Sequence, residues 1–108
     1  MIKKSINRWA FSSDLNIFDC IDFAKKVGFD GIEINLEDVG EISLETKDKD
    51  IFKIKNYCEK NSFEISSICQ LLLWKYPITS SLLKVREMGF KIIRKMIDYA
   101  NILNTKVF

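Results

Sequence analysis

Glu33 and Asn35 stand two residues apart, threaded between Ile32, Ile34 and Leu36. On a strand, successive side chains face opposite sides. The three aliphatics then share one face, and a carboxylate and an amide share the other. The aliphatic face must be covered by helices. The polar face suits the inner wall of a parallel barrel with a site at its mouth. Further groups with chemical potential fall where other apolar runs end: Asn7, Arg8 and Trp9 near the start, then Gln70, Leu71 and Trp74. Indole rings stack on the apolar faces of polyhydroxylated ligands, and amides and carboxylates exchange hydrogen bonds with hydroxyls. The candidate substrate-binding residues are therefore Asn7, Trp9, Glu33, Asn35, Gln70 and Trp74.

Each of these has a plainer role beside the functional one. Glu33 serves equally as a structural carboxylate that bonds neighbouring strands or pairs with Arg8. Trp9 fills core as well as it lines a pocket. Asn35 and Gln70 cap or bridge loops. Trp74 lies in the apolar stretch Leu72-Leu73-Trp74-Lys75-Tyr76-Pro77, where an exposed loop seldom carries so much apolar surface without a use. Cys69 reads as a small buried hydrophobe. Glu37 to Asp50 holds six carboxylates, Glu37, Asp38, Glu41, Glu45, Asp48 and Asp50, but lacks calcium-loop spacing and reads as a solvated connection. Histidine is absent, which removes the commonest general base and transition-metal ligand.

The elements that must position these groups alternate. Ser5 to Phe11 reads as a first strand. If Ile6 faces the covering helices, Asn7 and Trp9 face the other side; the opposite phase turns Arg8 inward, and both phases fit. A helix from about Leu15 to Val27 follows, with Asn16 as N-cap and the stripe Ile17, Cys20, Ile21, Ala24 and Val27. Lys25 and Lys26 suit its last turn, and Gly28 suits a left-handed stop. The second strand begins near Gly31. A second helix spans about Asp50 to Lys60, with Asn61 as its left-handed stop. Phe63 to Leu71 reads as the third strand. The longest helix runs from Ser80 or Ser81 to Leu103 on the face Val85, Met88, Ile92, Met96, Tyr99, Ala100 and Leu103, with Gly89 permitting close backbone packing. Thr105 to Phe108 begins a fourth strand. Strand–helix alternation implies right-handed crossovers and a parallel sheet. Both an open doubly wound sheet and part of an eight-stranded barrel fit, although no glycine-rich phosphate loop follows the first strand.

Bulk properties narrow the class. The 108 residues suffice for one small domain, and 47% hydrophobic with 30% charged residues is a globular composition. A net charge of +2, scattered along the chain, argues against nucleic acid. No signal core follows Met1-Ile2-Lys3-Lys4, and no apolar run reaches bilayer length. Three isolated cysteines, Cys20, Cys58 and Cys69, point to reduced thiols in a cytoplasmic protein.

The run Ser5-Ile6-Asn7-Arg8-Trp9-Ala10-Phe11, the helix exit Ala24-Lys25-Lys26-Val27-Gly28-Phe29-Asp30 and the strand Gly31-Ile32-Glu33-Ile34 resemble the start of the sugar phosphate isomerase/epimerase family, the xylose isomerase-like barrels. Val85-Arg86-Glu87-Met88-Gly89-Phe90 through Ala100 to Asn104 is similar to that family's lead into its fourth strand. The resemblance implies an α/β fold, a partial (β/α)8 TIM barrel of four parallel strands and three helices. Residues 1–108 would be the N-terminal half of the domain, since a complete barrel needs about 250 residues. It also implies aldose–ketose isomerisation or epimerisation of a sugar or sugar phosphate. A divalent metal, Mn or Mg, would be held by two glutamates, an aspartate and a histidine of later strands, so that none is bound by these residues. This half would supply substrate walls, and no residue of it is assigned a catalytic role. The alternatives are a non-catalytic half-barrel that pairs with a second copy or with the remaining half, and an endonuclease IV-like apurinic-site nuclease relative. The nuclease reading ranks last, because such enzymes need several histidine ligands and a basic groove.

Overall fold

The computed structural model describes all residues, Met1–Phe108. Three parallel strands form one sheet in the order of the chain: β1 (Ser5–Asn7), β2 (Gly31–Leu36) and β3 (Glu64–Gln70). The helices are α1 (Ile17–Lys26), α2 (Asp48–Lys60), the single turn α3 (Leu72–Lys75) and α4 (Leu83–Leu103). This is the expected half-barrel arrangement, with two differences in count. The stretch after β3 winds into α3 instead of staying a loop. The fourth strand is represented by one ladder bond, from the Ile68 N–H to the Val107 carbonyl at 3.1 Å.

Ile32, Ile34 and Leu36 of β2 are buried under the helices, in one apolar cluster with Ile21 of α1, Ile51 of α2 and Ile92 of α4. Each buried aliphatic side chain stabilises the fold by about 1.5–3 kcal/mol, so this face dominates the energetics. Phe18 and Tyr57 meet edge to face at 5.0 Å and join α1 to α2.

The helix ends follow their local chemistry. Asn16 caps α1 by accepting from the Asp19 N–H at 2.9 Å, and Gly28 takes φ +97° just beyond its end. At the end of α2 the left-handed residue is Ser62 (φ 51°), not Asn61. Asn61 keeps φ −94° because its side chain donates to the Tyr57 carbonyl at 2.8 Å, which moves the reversal one residue on. On α4, a Cβ added at Gly89 would sit 2.5 Å from the Tyr76 carbonyl oxygen. The bare backbone there lets α4 lie against the chain leaving α3.

β1 stops at Asn7, four residues short of the expected end. The Asn7 side chain accepts from the Trp9 N–H at 2.7 Å and curls Arg8–Ala10 into a 3-10 turn. The acidic connection is more than a solvated loop. The Glu37 N–H reaches back to the Ile42 carbonyl at 2.9 Å, Ile42 and Ser43 are buried, and α2 starts at Asp48.

β3 carries an irregularity that decides its polar face. Ile32 pairs with Ile65, but Glu33 pairs with Ser67, leaving Ser66 extra. A bulge of this kind reorients the side chains around it. Ile65 and Ile68 both reach the helix side, while Ser66 and Ser67 both turn to the polar side. Ser66 there meets Ser5 of β1, Oγ to Oγ at 2.7 Å, across the bare Gly31.

Candidate functional site

The parallel pairing places Asn7, Glu33 and Ser67 side by side, one from each strand, on the face away from the helices. Asn7 Nδ2 donates to Glu33 Oε1 at 2.5 Å, and Ser67 Oγ donates to Glu33 Oε2. The carboxylate is thus held on both oxygens by neutral donors. Asn35 lies one step nearer the mouth and is 4% exposed. Its Nδ2 donates to Asn7 Oδ1 at 3.0 Å, and its Oδ1 accepts from Asn7 Nδ2 at 3.1 Å. Asn7 is fixed from both sides by the Glu33 carboxylate and the Trp9 N–H, and this sets the Asn35 amide. Turning that amide would bring its oxygen 3.1 Å from the Trp9 indole nitrogen, but would set like atoms against like across the Asn7 pair.

Asn35, but not Asn7, Glu33 or Ser67, also lines a cavity of about 450 Å³, whose other walls include Arg8, Trp9, Glu37, Glu41 and Ile42. Its size is that of a small-molecule pocket. It lies between the 3-10 turn after β1 and the loop after β2, at the C-terminal ends of the strands. Trp9 is half exposed rather than core, and its indole N–H donates to Glu37 Oε1 at 2.6 Å. The phase left open in the sequence is settled: Ile6 packs on the core and Asn7 faces the site.

Charge in the cavity is committed internally. Arg8 donates to the Leu15 carbonyl at 2.5 Å and the Ser12 carbonyl at 3.3 Å, and pairs with Glu41 at 3.7 Å. Glu41 Oε1 accepts from the Ile17 N–H at 2.8 Å, so a carboxylate already occupies the positive start of α1. Arg8 therefore pins the loop after β1 and does not pair with Glu33. What remains to face a ligand is an indole, the Asn35 amide and carboxylate oxygens of Glu37 and Glu41.

Gln70 stands elsewhere. Its ladder partner is Leu36 of the helix side, and Gln70 Oε1 accepts from the Leu73 N–H at 2.9 Å, starting α3. Trp74 is 86% exposed on α3 and is not among the residues lining the cavity. The structure thus brings together Asn7, Trp9, Glu33 and Asn35, and leaves Gln70 and Trp74 apart. Ser67, Glu37 and Glu41 were not among the sequence candidates. For Ser67 a signal exists: Ile65 and Ile68 are separated by two serines, and both isoleucines can face the helices only if one serine is extra. For Glu37 and Glu41 none exists, because only the fold of the loop aims them.

Cys69, next to Asn35 in the ladder, is half-buried; burial, then the Glu33 carboxylate, pushes its thiol above the usual range. No three carboxylate or thiol side chains converge on a point that could hold a metal ion. No helix is long and apolar enough to cross a membrane.

Residues 21–108 match the family described as the xylose isomerase-like TIM barrel. Among solved structures, the chain is similar to a D-psicose 3-epimerase crystallised in the presence of D-fructose, with a TM-score of 0.74 and 18% identity. The match covers 96% of this chain and 35% of that one, so the chain spans about a third of the epimerase's length. At this identity the likeness shows the fold. No curated protein matches the sequence.

Proposed function

The chain belongs to the xylose isomerase-like TIM barrel family, and on that premise we propose that it forms part of a sugar isomerase or epimerase. Its residues supply the wall against which the sugar lies, and the proton-moving groups come from elsewhere in the barrel. The observation that carries this reading is a cavity lined by Trp9, Asn35, Glu37 and Glu41, with Asn35 held from behind by the bonded row Asn7–Glu33–Ser67. A sugar presents C–H patches that suit the indole and hydroxyls that suit amides and carboxylate oxygens. We propose that Glu33 orients Asn7, and through it the Asn35 amide that faces the cavity; the carboxylate that abstracts a proton is not assigned to it. Trp74 is proposed as an outer contact, with substrate or with a neighbouring subunit. Gln70 acts through the α3 turn that it starts.

The divalent ion implied by the family resemblance does not fit the groups present. Glu33, Glu37 and Glu41 are each engaged by separate donors, and no third ligand joins any pair. No step is therefore routed through a metal on these residues.

We further place residues 1–108 as the N-terminal half of one barrel domain. Val107 already bonds the outer edge of β3. Leu83, Phe90 and Ile97, seven residues apart on α4, are exposed on one stripe, while Lys91 and Tyr99 face the turn ahead of α2. A further strand and helix would cover both features. The same stripe supports a second reading, a non-catalytic half-barrel that pairs through this flank. A concentration-dependent dimer in light scattering, with no sugar binding, would select it.

The test titrates D-fructose into the intact protein with Trp74 retained, binding being followed by calorimetry. A saturable binding heat is expected. Asn35→Ala should weaken binding about tenfold, the factor for one buried hydrogen bond of roughly 1.4 kcal/mol. No saturable heat with D-fructose or another ketose overturns the assignment. Residues 1–108 alone should show no epimerase turnover with added Mn²⁺ or Mg²⁺; turnover would move the acid–base pair into this chain.

A further inference from the structure

Tyr99 is fully buried on α4 and touches no part of the cavity, yet it is bonded to the loop that forms one wall of it. Its hydroxyl is shared between the Ser43 carbonyl at 2.8 Å and the Thr46 carbonyl at 2.7 Å. From there the bonding is continuous. Thr46 Oγ1 accepts from the Ser43 N–H at 2.9 Å and donates to the Glu41 carbonyl at 3.0 Å. The Glu41 carboxylate holds the Ile17 N–H and pairs with Arg8. Glu37 forms an isolated bridge with Ser43 and accepts the Trp9 indole N–H. A residue more than fifty positions downstream thus anchors the wall that carries Glu37 and Glu41.

We propose that Tyr99 is a positioning residue, a tether from α4 that sets the Glu37–Thr46 wall and, through it, the Trp9 indole over the cavity. The loop is rich in carboxylates and short of apolar side chains: Ile42 is its one deeply buried aliphatic. Without the tether its place would rest on Ile42 and half-buried Leu44, on bonds within the loop, on the bonds of Glu37 and Glu41 to Trp9, Ile17 and Arg8, and on the exposed ion pairs Asp38–Lys75 and Glu45–Lys91. Phenylalanine at position 99 keeps the ring in the core and removes the hydroxyl, leaving the Ser43 and Thr46 carbonyls without that donor. The consequence for sugar binding rests on the ligand reading above; the tether itself does not.

The experiment compares Tyr99→Phe with its parent in the intact protein by three readouts: thermal midpoint, acrylamide quenching of Trp9 with its emission maximum in a Trp74→Phe background, and calorimetric D-fructose titration with Trp74 retained. Expected are a folded protein, stronger quenching and red-shifted emission of Trp9, and D-fructose affinity lowered about threefold to tenfold, the equilibrium factor of one lost hydrogen bond. Altered quenching in a parent that binds no D-fructose upholds the tether and removes the sugar reading. A lowered midpoint with Trp9 quenching and emission unchanged overturns the proposal and leaves Tyr99 as packing alone. Should Tyr99→Phe not fold, Thr46→Val decides. It deletes the hydroxyl linking Ser43 to Glu41 while keeping a branched side chain, and unchanged Trp9 readouts in that variant overturn the proposal equally.

Discussion

The two faces of the sheet are built by different physics. Toward the helices, Ile32, Ile34, Leu36 and Ile68 are part of an apolar cluster of 19 buried residues. Any one contact there is replaceable, and what counts is area removed from water and volume filled. Toward the site, Asn7, Glu33, Asn35 and Ser67 form a small bonded set with Glu33 at its centre. There each bond is individually modest, but a missing partner leaves a polar atom unsatisfied. One face gives the sheet its stability, and the other gives it a fixed arrangement of donors and acceptors.

The largest test of that contrast is Ile34→Ala. The side chain is fully buried, and its truncation should cost about 2–5 kcal/mol in denaturant unfolding, with a cavity term added to the lost transfer energy. A loss below that of Glu33→Ala would break the assignment of stability to the helix side.

The helix side should also show an alkaline limit. Burial pushes the Cys58 thiol from its usual 9.0 up to about 12, and burial with nearby Asp48 and Glu45 pushes the Tyr99 hydroxyl from 10.0 up to about 12. Both groups are held protonated in the fold and ionise earlier in the unfolded chain. Their contribution is complete below about pH 9 and is lost as pH rises toward 12, with a slope on the order of one proton per group. Denaturant midpoints measured across this range should fall, and Cys58→Ala should flatten the fall at its lower end. An unchanged slope in that variant assigns the alkaline loss elsewhere.

On the polar face, Glu33→Ala leaves one Asn7 amide proton and the Ser67 hydroxyl without their partner and should cost about 1–3 kcal/mol. Its effect and that of Asn7→Ala should be non-additive, because the two residues share a bond. Strict additivity in the double mutant would show that the row is not a unit. The smallest effect belongs to Trp74→Ala, whose side chain is 86% exposed. Stability should change by no more than about 0.5 kcal/mol, while sugar affinity in the intact protein falls. A large drop in thermal midpoint would place Trp74 in a packed interface.

Most of the architecture could be read from local pattern. The α1 stripe with its Asn16 cap, the alternation in β2 and the long apolar face of α4 are signals within one or a few turns of chain. Asn7, Glu33 and Asn35 converge because their positions depend only on parity in β1 and β2; Trp9, expected on the first strand, reaches the cavity through the 3-10 turn that follows it. Gln70 stands apart from this group because the extra residue at Ser66 reverses parity in the rest of β3. The true neighbour of Glu33 there is Ser67. The acidic loop was read as solvated because its carboxylates are conspicuous and its buried Ile42 and Ser43 are not.

The sequence by itself determined which residues are oily, at what period, and where each helix must stop, since caps and periodicity act over a few residues. It thereby settled a parallel α/β unit with a polar inner face. Tertiary structure alone decided the register of β3, the curl of Trp9 over the cavity and the anchoring of the acidic wall by Tyr99. These depend on hydrogen bonds between residues far apart in the chain, such as Asn7 to Glu33, 26 positions on, and Tyr99 to Ser43, 56 positions back. No local preference encodes such pairs; they exist only once packing has brought the strands and helices together.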